Sequence, residues 1–332
     1  MIYIVSNSHK PDYNIAQEEY CFKQLRQFDK IFILWINEPA IIVGKNQNTL
    51  AEINSHYVRE QGIHVVRRIT GGGAVYHDLN NLNYTIISDE GEGEESFDFK
   101  TFSQPVIETL GTLGVRAEFS GRNDITIDGK KICGNAQAYH EGRVMHHGCL
   151  LFDTDLSVLS RALDGSREGV EAKGVKSVRS RVDNILPNLP ERITVRQFAD
   201  RILAHMKQRY PEMVEYHFSD GELQAIEQVR REKFGNWEWN FGSNPVAEVV
   251  RERRFAGGKV QVFLNLRKGR IADIRFFGTF FGREADLGPL EEQLQGVRYA
   301  PGEVMAALSG MDTSRFFAGL TREELTEAIV GS

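Results

Sequence analysis

The chain has 332 residues, of which 41% are hydrophobic and 26% are charged, and its formal net charge is −6. This length exceeds what one hydrophobic core usually supports, so we expect one large domain and one smaller domain. The composition excludes a disordered or fibrous protein, and the negative charge argues against a protein held on nucleic acid by a general basic field.

The first two thirds of the chain alternate short helical and β-rich segments. Asn14 followed by IAQEEYCFKQL predicts a capped helix over 14–26, with Gln17 returning a hydrogen bond at its start. The apolar runs 31–36 and 40–44, separated by Asn-Glu-Pro, are typical of a hairpin. Further strands are predicted at 63–66, 82–88, 125–127 and 150–152, and helices at 100–113 and 194–208. This irregular alternation predicts an α/β (α+β) fold with a mixed sheet.

A smaller α/β domain is predicted after the turn-rich segment that ends at Pro245. We place the larger, ligand-binding domain at 1–244 and the accessory domain at 245–332. The second contains a predicted hairpin, 259–266 and 270–277, followed by helices near 285–295 and 321–330. It has equal numbers of basic and acidic residues, so the net charge belongs to the first domain.

The cysteine pattern and the N-terminus predict a soluble cytoplasmic protein. Cys21, Cys133 and Cys149 are widely spaced and include no CxxC pair, which argues against a disulfide framework or a zinc site. The segment MIYIVSNSHK has no apolar signal core, and the run 31–36 is too short to span a bilayer.

The sharpest local signal is the segment RRITGGGAVYHD at 67–78, between two predicted strands. Three consecutive glycines let the backbone approach a ligand with its N–H groups exposed, and Arg67 and Arg68 can supply charge for a carboxylate or phosphate. It is not a Walker loop, because GxxxxGK[ST] is missing. It is not a dinucleotide fingerprint, because the following residues alternate like a strand where a helix is required. A glycine-rich turn with solvated arginines is the alternative.

A second cluster of polar residues surrounds the predicted turn at 128–129. Lys131 opens a strand of small residues, where its ammonium could lie against a phosphate, and Asp124 could orient it or accept a proton. The alternative is a hairpin with a solvated lysine, which spacing alone favours. The adjacent His146 and His147 must face opposite ways on a strand, which argues against a shared metal and leaves His147 as the pocket candidate.

A third polar segment, 172–184, holds four basic residues against one acid. It could close over a phosphate or form a solvated loop. The apolar runs around Trp35 and 40–43 could line a tunnel or be plain core.

Taken together, these residues resemble the lipoate protein ligases of the A type. The likeness runs through RRITGGGAVYHDLNNLNY, SGRNDI, GKKICGNAQA, HHGCLLFD, KGVKSVRSRVDN and NWEWNFG into the C-terminal part. It implies a catalytic domain similar to those of biotin ligases and class II synthetases. It also implies an enzyme that activates scavenged lipoate with MgATP to lipoyl-AMP and passes the lipoyl group to a lysine of a lipoyl carrier domain. Such carriers are the 2-oxoacid dehydrogenase E2 component and the glycine cleavage H protein.

The resemblance also assigns residues, with Lys131 and Asp124 as the catalytic pair. It places the following residues at lipoate and ATP: Arg68, Gly71, Gly72, Gly73, Ala74, Val75, Tyr76, Asn81, Lys131, Gly134, Ala136 and His147. Those of the loop that closes on the adenylate are Lys173, Lys176, Arg179 and Arg181. Mg²⁺ would arrive with ATP, with Asp124 as a candidate ligand. Octanoate stays open as a second substrate, and no nucleic acid or membrane partner is expected.

Three alternatives are weighed against this reading. A cysteine-dependent octanoyltransferase of the same fold has its nucleophile just before the lysine strand, and residues 118–131 contain no Cys. A biotin ligase is expected to have a GRGRxGR-type loop, which RRITGGG does not match. A non-catalytic carrier-docking module would not need to retain both Arg68 and Lys131.

Overall fold

The computed structural model describes residues 1–89, 98–121, 123–163, 182–242, 249–284 and 286–331. The strands are β1 Ile2–Val5, β2 Lys30–Trp35, β3 Ala40–Val43, β4 His64–Arg67, β5 Val75–His77, β6 Asn81–Asp89, β7 Glu118–Ser120, β8 Asp124–Ile127, β9 Lys130–His140, β10 Arg143–Leu151, β11 Val214–Glu215, β12 Val249–Phe255, β13 Gly258–Arg267 and β14 Arg270–Gly278. The helices are α1 Pro11–Lys23, α2 Thr49–Glu52, α3 Ser55–Glu60, α4 Phe99–Thr112, α5 Leu156–Ala162, α6 Val195–Arg209, α7 Asp220–Val229, α8 Trp237–Phe241, α9 Gly288–Leu294, α10 Pro301–Ser309 and α11 Arg322–Val330. A π-helical turn, Arg230–Phe234, continues α7, and short 3₁₀ turns lie at Leu186–Asn188 and Thr313–Arg315.

A mixed eight-stranded sheet is the centre of the fold, in the order β11-β1-β2-β6-β10-β9-β8-β7. Strand β1 is parallel to β2 and β11, and the pairs from β2 to β7 are antiparallel. The predicted mixed α/β class is therefore confirmed. Helices α4 and α6 cover one face, where Val106, Leu110 and Phe198 are buried. Helix α1 covers the other face together with a second, three-stranded sheet.

The second sheet, in the order β4-β3-β5, shows that the predicted hairpin of 31–36 and 40–44 was wrong. Strand β2 belongs to the large sheet, whereas β3 pairs in parallel with β4 and antiparallel with β5. The turn residues between the two runs indicate a change of direction but not a pairing partner. All four residues of β3 are buried, as expected for the central strand of a covered sheet.

Helix α1 begins at Pro11 and ends at Lys23, so the predicted span of 14–26 was displaced. Proline is favoured in the first turn because its missing N–H needs no partner there. Asn14 is therefore inside the helix and is not its cap; its side-chain amide donates to the carbonyl oxygens of Ser8 and Ile36. The predicted hydrogen bond from Gln17 was also wrong, because the N–H of Asn14 donates to the carbonyl oxygen of Lys10.

The C-terminal region forms its own antiparallel sheet, β12-β13-β14, with α9 to α11 around a separate apolar cluster. The predicted hairpin is β13 and β14, whereas β12 and α10 were not predicted. The proposed boundary after residue 244 falls within 243–248, outside the described residues, so the division into two domains stays a prediction. Across the described ranges, no helix combines the length and apolar character needed to cross a membrane.

Candidate active site

A cleft with a cavity volume of about 90 Å³ lies between the large sheet, α1 and the small sheet. Its walls combine apolar side chains with a few polar groups, as is typical of small-molecule sites. The residues that line it are Ile15, Trp35, Ile42, Arg68, Gly72, Gly73, Ala74, Val75, His77, Asn83, Asn123, Lys131, Gly134, Asn135, Ala136, His147, Gly148 and Cys149. Trp35 and Ile42 belong to the two apolar runs for which the sequence left two alternatives, a tunnel wall or plain core, and both residues line the cleft.

The floor of the cleft is a row of paired residues across five strands. Trp35 is opposite Asn83, Asn83 opposite Cys149, Cys149 opposite Gly134, and Gly134 opposite Asp124. Directly paired residues point to the same face of a sheet, so the row forms one continuous surface. Three strand spacings separate Trp35 from Gly134, which is ~14 Å. The cleft is therefore long and narrow, with an aromatic end and a charged end.

Arg68 holds the glycine loop in place. Its guanidinium donates to the hydroxyl of Thr70 at 2.8 Å and to the carbonyl oxygens of Ile42, Gly71 and Gly73 at 3.0, 2.6 and 2.8 Å. Burial lowers its pKa to about 10, and only 5% of the residue is exposed. Most of its donors are therefore engaged by the protein, which departs from the expectation of a solvated cation, while Arg68 still lines the cleft and its binding of an anion stays a prediction.

Arg67 also departs from the expectation of a ligand-facing cation. Its guanidinium is buried and donates to the carbonyl oxygens of Gly44, Lys45, Gln47 and Trp239. These bonds join β4 to the segment after β3 and to α8. Arg67 therefore stabilises the fold beneath the loop.

Two glycines of the loop, Gly71 and Gly72, are required by close contacts or by backbone conformation. A Cβ on Gly71 would lie 2.5 Å from the carbonyl oxygen of Phe280, and Gly72 has φ +91°. Phe281 packs on the same loop and against Phe99, with ring centroids 5.3 Å apart. The C-terminal region thus covers the outer side of the loop, and none of its described residues lines the cleft.

Lys131 lines the charged end of the cleft, and Asp124, which is not among the lining residues, pairs with it. The Nζ of Lys131 lies 2.8 Å from Oδ1 of Asp124, and about a third of each side chain is exposed. Gly134 leaves the space for this lysine, because a Cβ there would lie 2.7 Å from Nζ and 2.9 Å from Cε. The pair is adjacent to the row of the floor, so a ligand in the cleft would reach the ammonium.

A buried chain of hydrogen bonds connects α1 to the loop through His147. Nδ1 of His147 lies 3.0 Å from Oε1 of Glu18, and Nε2 lies 2.8 Å from Oγ1 of Thr70, which accepts from Arg68. A carboxylate only accepts and an arginine only donates, so the imidazole carries its proton on Nδ1. The hydroxyl of Thr85 also donates to Glu18 and accepts from Trp35. The negative charge of Glu18 offsets the buried positive charge of Arg68.

Several predicted site residues do not line the cleft. Tyr76 packs in an apolar cluster beneath the loop. The side-chain amide of Asn81 donates to the carbonyl oxygen of Tyr76 and to Sγ of Cys149, and its oxygen accepts from the hydroxyl of Thr154. Gly71 belongs to the loop but not to the lining. His146 lies on the opposite face of β10 from His147, stacked on Phe102, as the alternation of a strand requires.

The predicted adenylate-loop residues Lys173, Lys176, Arg179 and Arg181 lie within 164–181, outside the described residues. The chain resumes at Val182, which forms an isolated bridge with Lys131, and the N–H of Asp183 donates to the Lys131 carbonyl at 2.9 Å. The end of the basic segment is therefore attached beside the charged end of the cleft.

Glu18, Thr70 and His77 were not predicted from the sequence. A glutamate is normally solvated, although Glu18 lies three residues after Ile15 and four before Phe22, on the face of α1 that these residues bury. Thr70 and His77 lie inside the glycine segment, so their position next to a candidate loop was the available signal. In the described part of the chain no group of three His, Cys, Asp or Glu residues could hold a metal ion.

Comparison with known proteins places these features in a family. Residues 10–207 match the family model of the lipoyl protein ligase A/B catalytic domain, and residues 244–329 match that of the bacterial lipoate protein ligase C-terminus. The lipoate-protein ligase LplJ of Bacillus subtilis is 40% identical over 97% of this chain and 98% of its own.

Two solved structures resemble the fold. A Plasmodium falciparum LipL1 complex with lipoate has a TM-score of 0.81 at 23% identity, covering 100% of this chain and 99% of its own. A bi-partite lipoate protein ligase from Thermoplasma acidophilum, studied with its E2 lipoyl domain, has a TM-score of 0.66 at 26% identity and covers 75% of this chain and 98% of its own.

Proposed function

Because the chain belongs to the lipoate-protein ligases, we propose that it activates lipoate with ATP to lipoyl-AMP and transfers the lipoyl group to a lysine of a lipoyl carrier domain. The observation that carries this proposal is the cleft itself. An apolar channel that ends at the Lys131–Asp124 pair fits an acid with an apolar tail. Burying four chain methylenes gives ~3 kcal/mol, so binding also depends on the charged end.

In the first half-reaction, a carboxylate oxygen of lipoate attacks the α-phosphorus of ATP and pyrophosphate leaves. Two anions must approach each other, and Lys131 offsets their repulsion as negative charge develops. The backbone of Gly72 and Gly73 borders the same space, and its N–H groups can donate to phosphate oxygens. Val182, which directly follows the basic segment in the sequence, is bridged to Lys131 at this end of the cleft.

Mg²⁺ fits this site as an ion carried by the phosphates of ATP. It prefers oxygen ligands and usually keeps several waters, binding through one or two carboxylates and the substrate phosphates. Asp124 is the carboxylate at the charged end and would be the protein ligand. When bound, the ion neutralises charge on the phosphates.

In the second half-reaction, the amine of the acceptor lysine attacks the acyl carbon, AMP leaves, and the new amide nitrogen loses a proton. With an ordinary pKa near 10.4, only about one lysine in several thousand is neutral at pH 7. A base at the mouth of the cleft is therefore needed. Asp124 is our candidate, because a third of its side chain is exposed where the carrier lysine would enter.

The acceptor is proposed to be a lipoyl domain of the E2 or H-protein type. The Thermoplasma ligase was studied with its E2 lipoyl domain, which supports this class of partner. Free lipoate would be the acyl source.

The main competitor is a thioester-forming octanoyltransferase that needs no ATP. Cys149 is the thiol that lines the cleft, and burial raises its pKa to about 12. Burial also raises the pKa of the Cys133 thiol well above its ordinary value. A thiol must ionise to act as a nucleophile, so these environments favour the adenylate route.

The test is pyrophosphate release by purified protein with ATP and either lipoate, biotin or an octanoyl carrier. We expect release with lipoate. Octanoyl transfer without ATP would favour the transferase, and release with biotin alone would favour a biotin ligase. A protein that binds the carrier but releases no pyrophosphate would be a docking module.

A further inference from the structure

His77 lies at the aromatic end of the cleft. The residue lines the cleft and is only 2% exposed, and its ring centroid is 5.7 Å from that of Trp35. Trp35 is three strand spacings, ~14 Å, from Gly134 beside Lys131. A carboxylate bound at Lys131 would therefore direct its tail towards His77.

The neighbours of His77 determine which ring nitrogen carries the proton. The side-chain amide of Asn14 donates to the carbonyl oxygens of Ser8 and Ile36, so its Nδ2 is a donor, and it faces Oδ1 of Asn37 at 2.8 Å. The other atom of that amide, Nδ2 of Asn37, then faces Nδ1 of His77 at 3.1 Å. An amide nitrogen only donates, so Nδ1 accepts and the proton of the ring is on Nε2.

Nε2 of His77 has no hydrogen-bond partner among the described residues, although the atom is buried. Burial, with Arg68 and His147 nearby, lowers the pKa of His77 to about 3, so the ring is neutral at physiological pH. A buried N–H without a partner is costly, and such groups usually bind a water or a ligand. The apolar end of the cleft thus contains one unpaired donor.

We propose that His77 is a specificity-determining residue whose Nε2–H donates a hydrogen bond to a sulphur of the lipoate dithiolane ring. This inference rests on the proposed function. Octanoate has no acceptor in its tail and would leave the donor unpaired. A site with a fixed polar group rejects an analogue that lacks the partner more strongly than a purely apolar pocket does. The predicted consequence is a preference for lipoate over octanoate.

The test uses cyclopentylpentanoate, which keeps the ring and chain of lipoate but replaces both sulphurs by methylenes. Pyrophosphate release by the wild-type protein is measured with lipoate, cyclopentylpentanoate and octanoate. We expect kcat/KM for lipoate to exceed that for the carbocyclic acid by about tenfold, or about 1.4 kcal/mol. In His77→Leu the ratio should fall to within about twofold.

Equal kcat/KM for lipoate and the carbocyclic acid in the wild type would overturn the role of His77 while leaving the proposed function intact. A tenfold ratio that persists in folded His77→Leu would do the same. If that variant does not fold, the wild-type Nε2–H proton resonance decides. It should move downfield with lipoate but not with cyclopentylpentanoate, and identical shifts would refute the bond. Absence of pyrophosphate release with every acid would overturn both proposals.

Discussion

Gly134→Ala tests whether the position of Lys131 controls activity. The new Cβ would lie 2.7 Å from Nζ and 2.9 Å from Cε of Lys131, whereas ordinary contacts begin near 3.4 Å. The lysine must therefore move by about 0.7 Å or leave Asp124. A displacement of about 1 Å in a reacting group can cost about 100-fold. We expect kcat/KM for lipoate adenylation to fall by between about 10- and 100-fold.

The stability of Gly134→Ala should not fall with its activity. The new methyl group would meet the flexible end of the Lys131 side chain, and Gly134 is a strand residue without a positive φ. Replacing glycine by alanine at a compatible position usually adds about 0.4–1 kcal/mol of stability. Gly111→Ala is the matched control, because nothing lies within 4 Å of its new Cβ. It should leave adenylation unchanged.

The assay is lipoate-dependent pyrophosphate release, with urea unfolding of each variant measured in parallel. Lys131→Ala sets the lower limit of the adenylation rate, because it deletes the cation. The variant should still fold, because about a third of each side chain in the Lys131–Asp124 pair is exposed. Wild-type adenylation by folded Gly134→Ala, or by folded Lys131→Ala, would show that the lysine does not act on the phosphate.

Three further predictions follow from the buried groups and the C-terminal region. Glu18→Ala removes the acceptor of His147 and the counter-charge of buried Arg68, so the free energy of unfolding measured in urea should fall by about 3–5 kcal/mol. A fall of less than about 1 kcal/mol would contradict the buried network. Replacing Cys21, Cys133 and Cys149 together by Ala should preserve most ligation, since adenylate chemistry needs no thiol. A folded variant that has lost ligation and forms no lipoyl-AMP would support the transferase. A chain cut after Asn244 should lose most adenylation, because Phe281 no longer covers the loop. It should still transfer lipoate from presynthesised lipoyl-AMP to a carrier. Normal adenylation with lost transfer would instead make residues 245–332 a carrier-docking element.

The structure brings Gly72, Gly73 and Lys131, which the sequence singled out in two local segments, to one cleft. The glycine loop and Lys131 were found because their chemistry depends on residues next to each other in the chain. Glu18 was missed because its partners, His147 and Thr85, lie on two strands far along the sequence. Burial of a glutamate on an amphipathic helix is decided by those tertiary neighbours.

Two errors in the fold have a similar physical origin. Asn14 has the residue type of a helix cap, but Pro11 starts the helix earlier and the amide of Asn14 binds the carbonyl oxygens of Ser8 and Ile36. The turn after β2 leads to a strand of another sheet, because pairing is chosen by the faces that β3 must bury.

Lipoate-dependent exchange of labelled pyrophosphate into ATP tests the central claim most directly, because it reports reversible formation of the acyl-adenylate without any carrier. We expect exchange with lipoate that is lost in Lys131→Ala and reduced in Gly134→Ala. Absence of exchange by folded wild-type protein, together with acyl transfer from an octanoyl carrier without ATP, would contradict the adenylate mechanism.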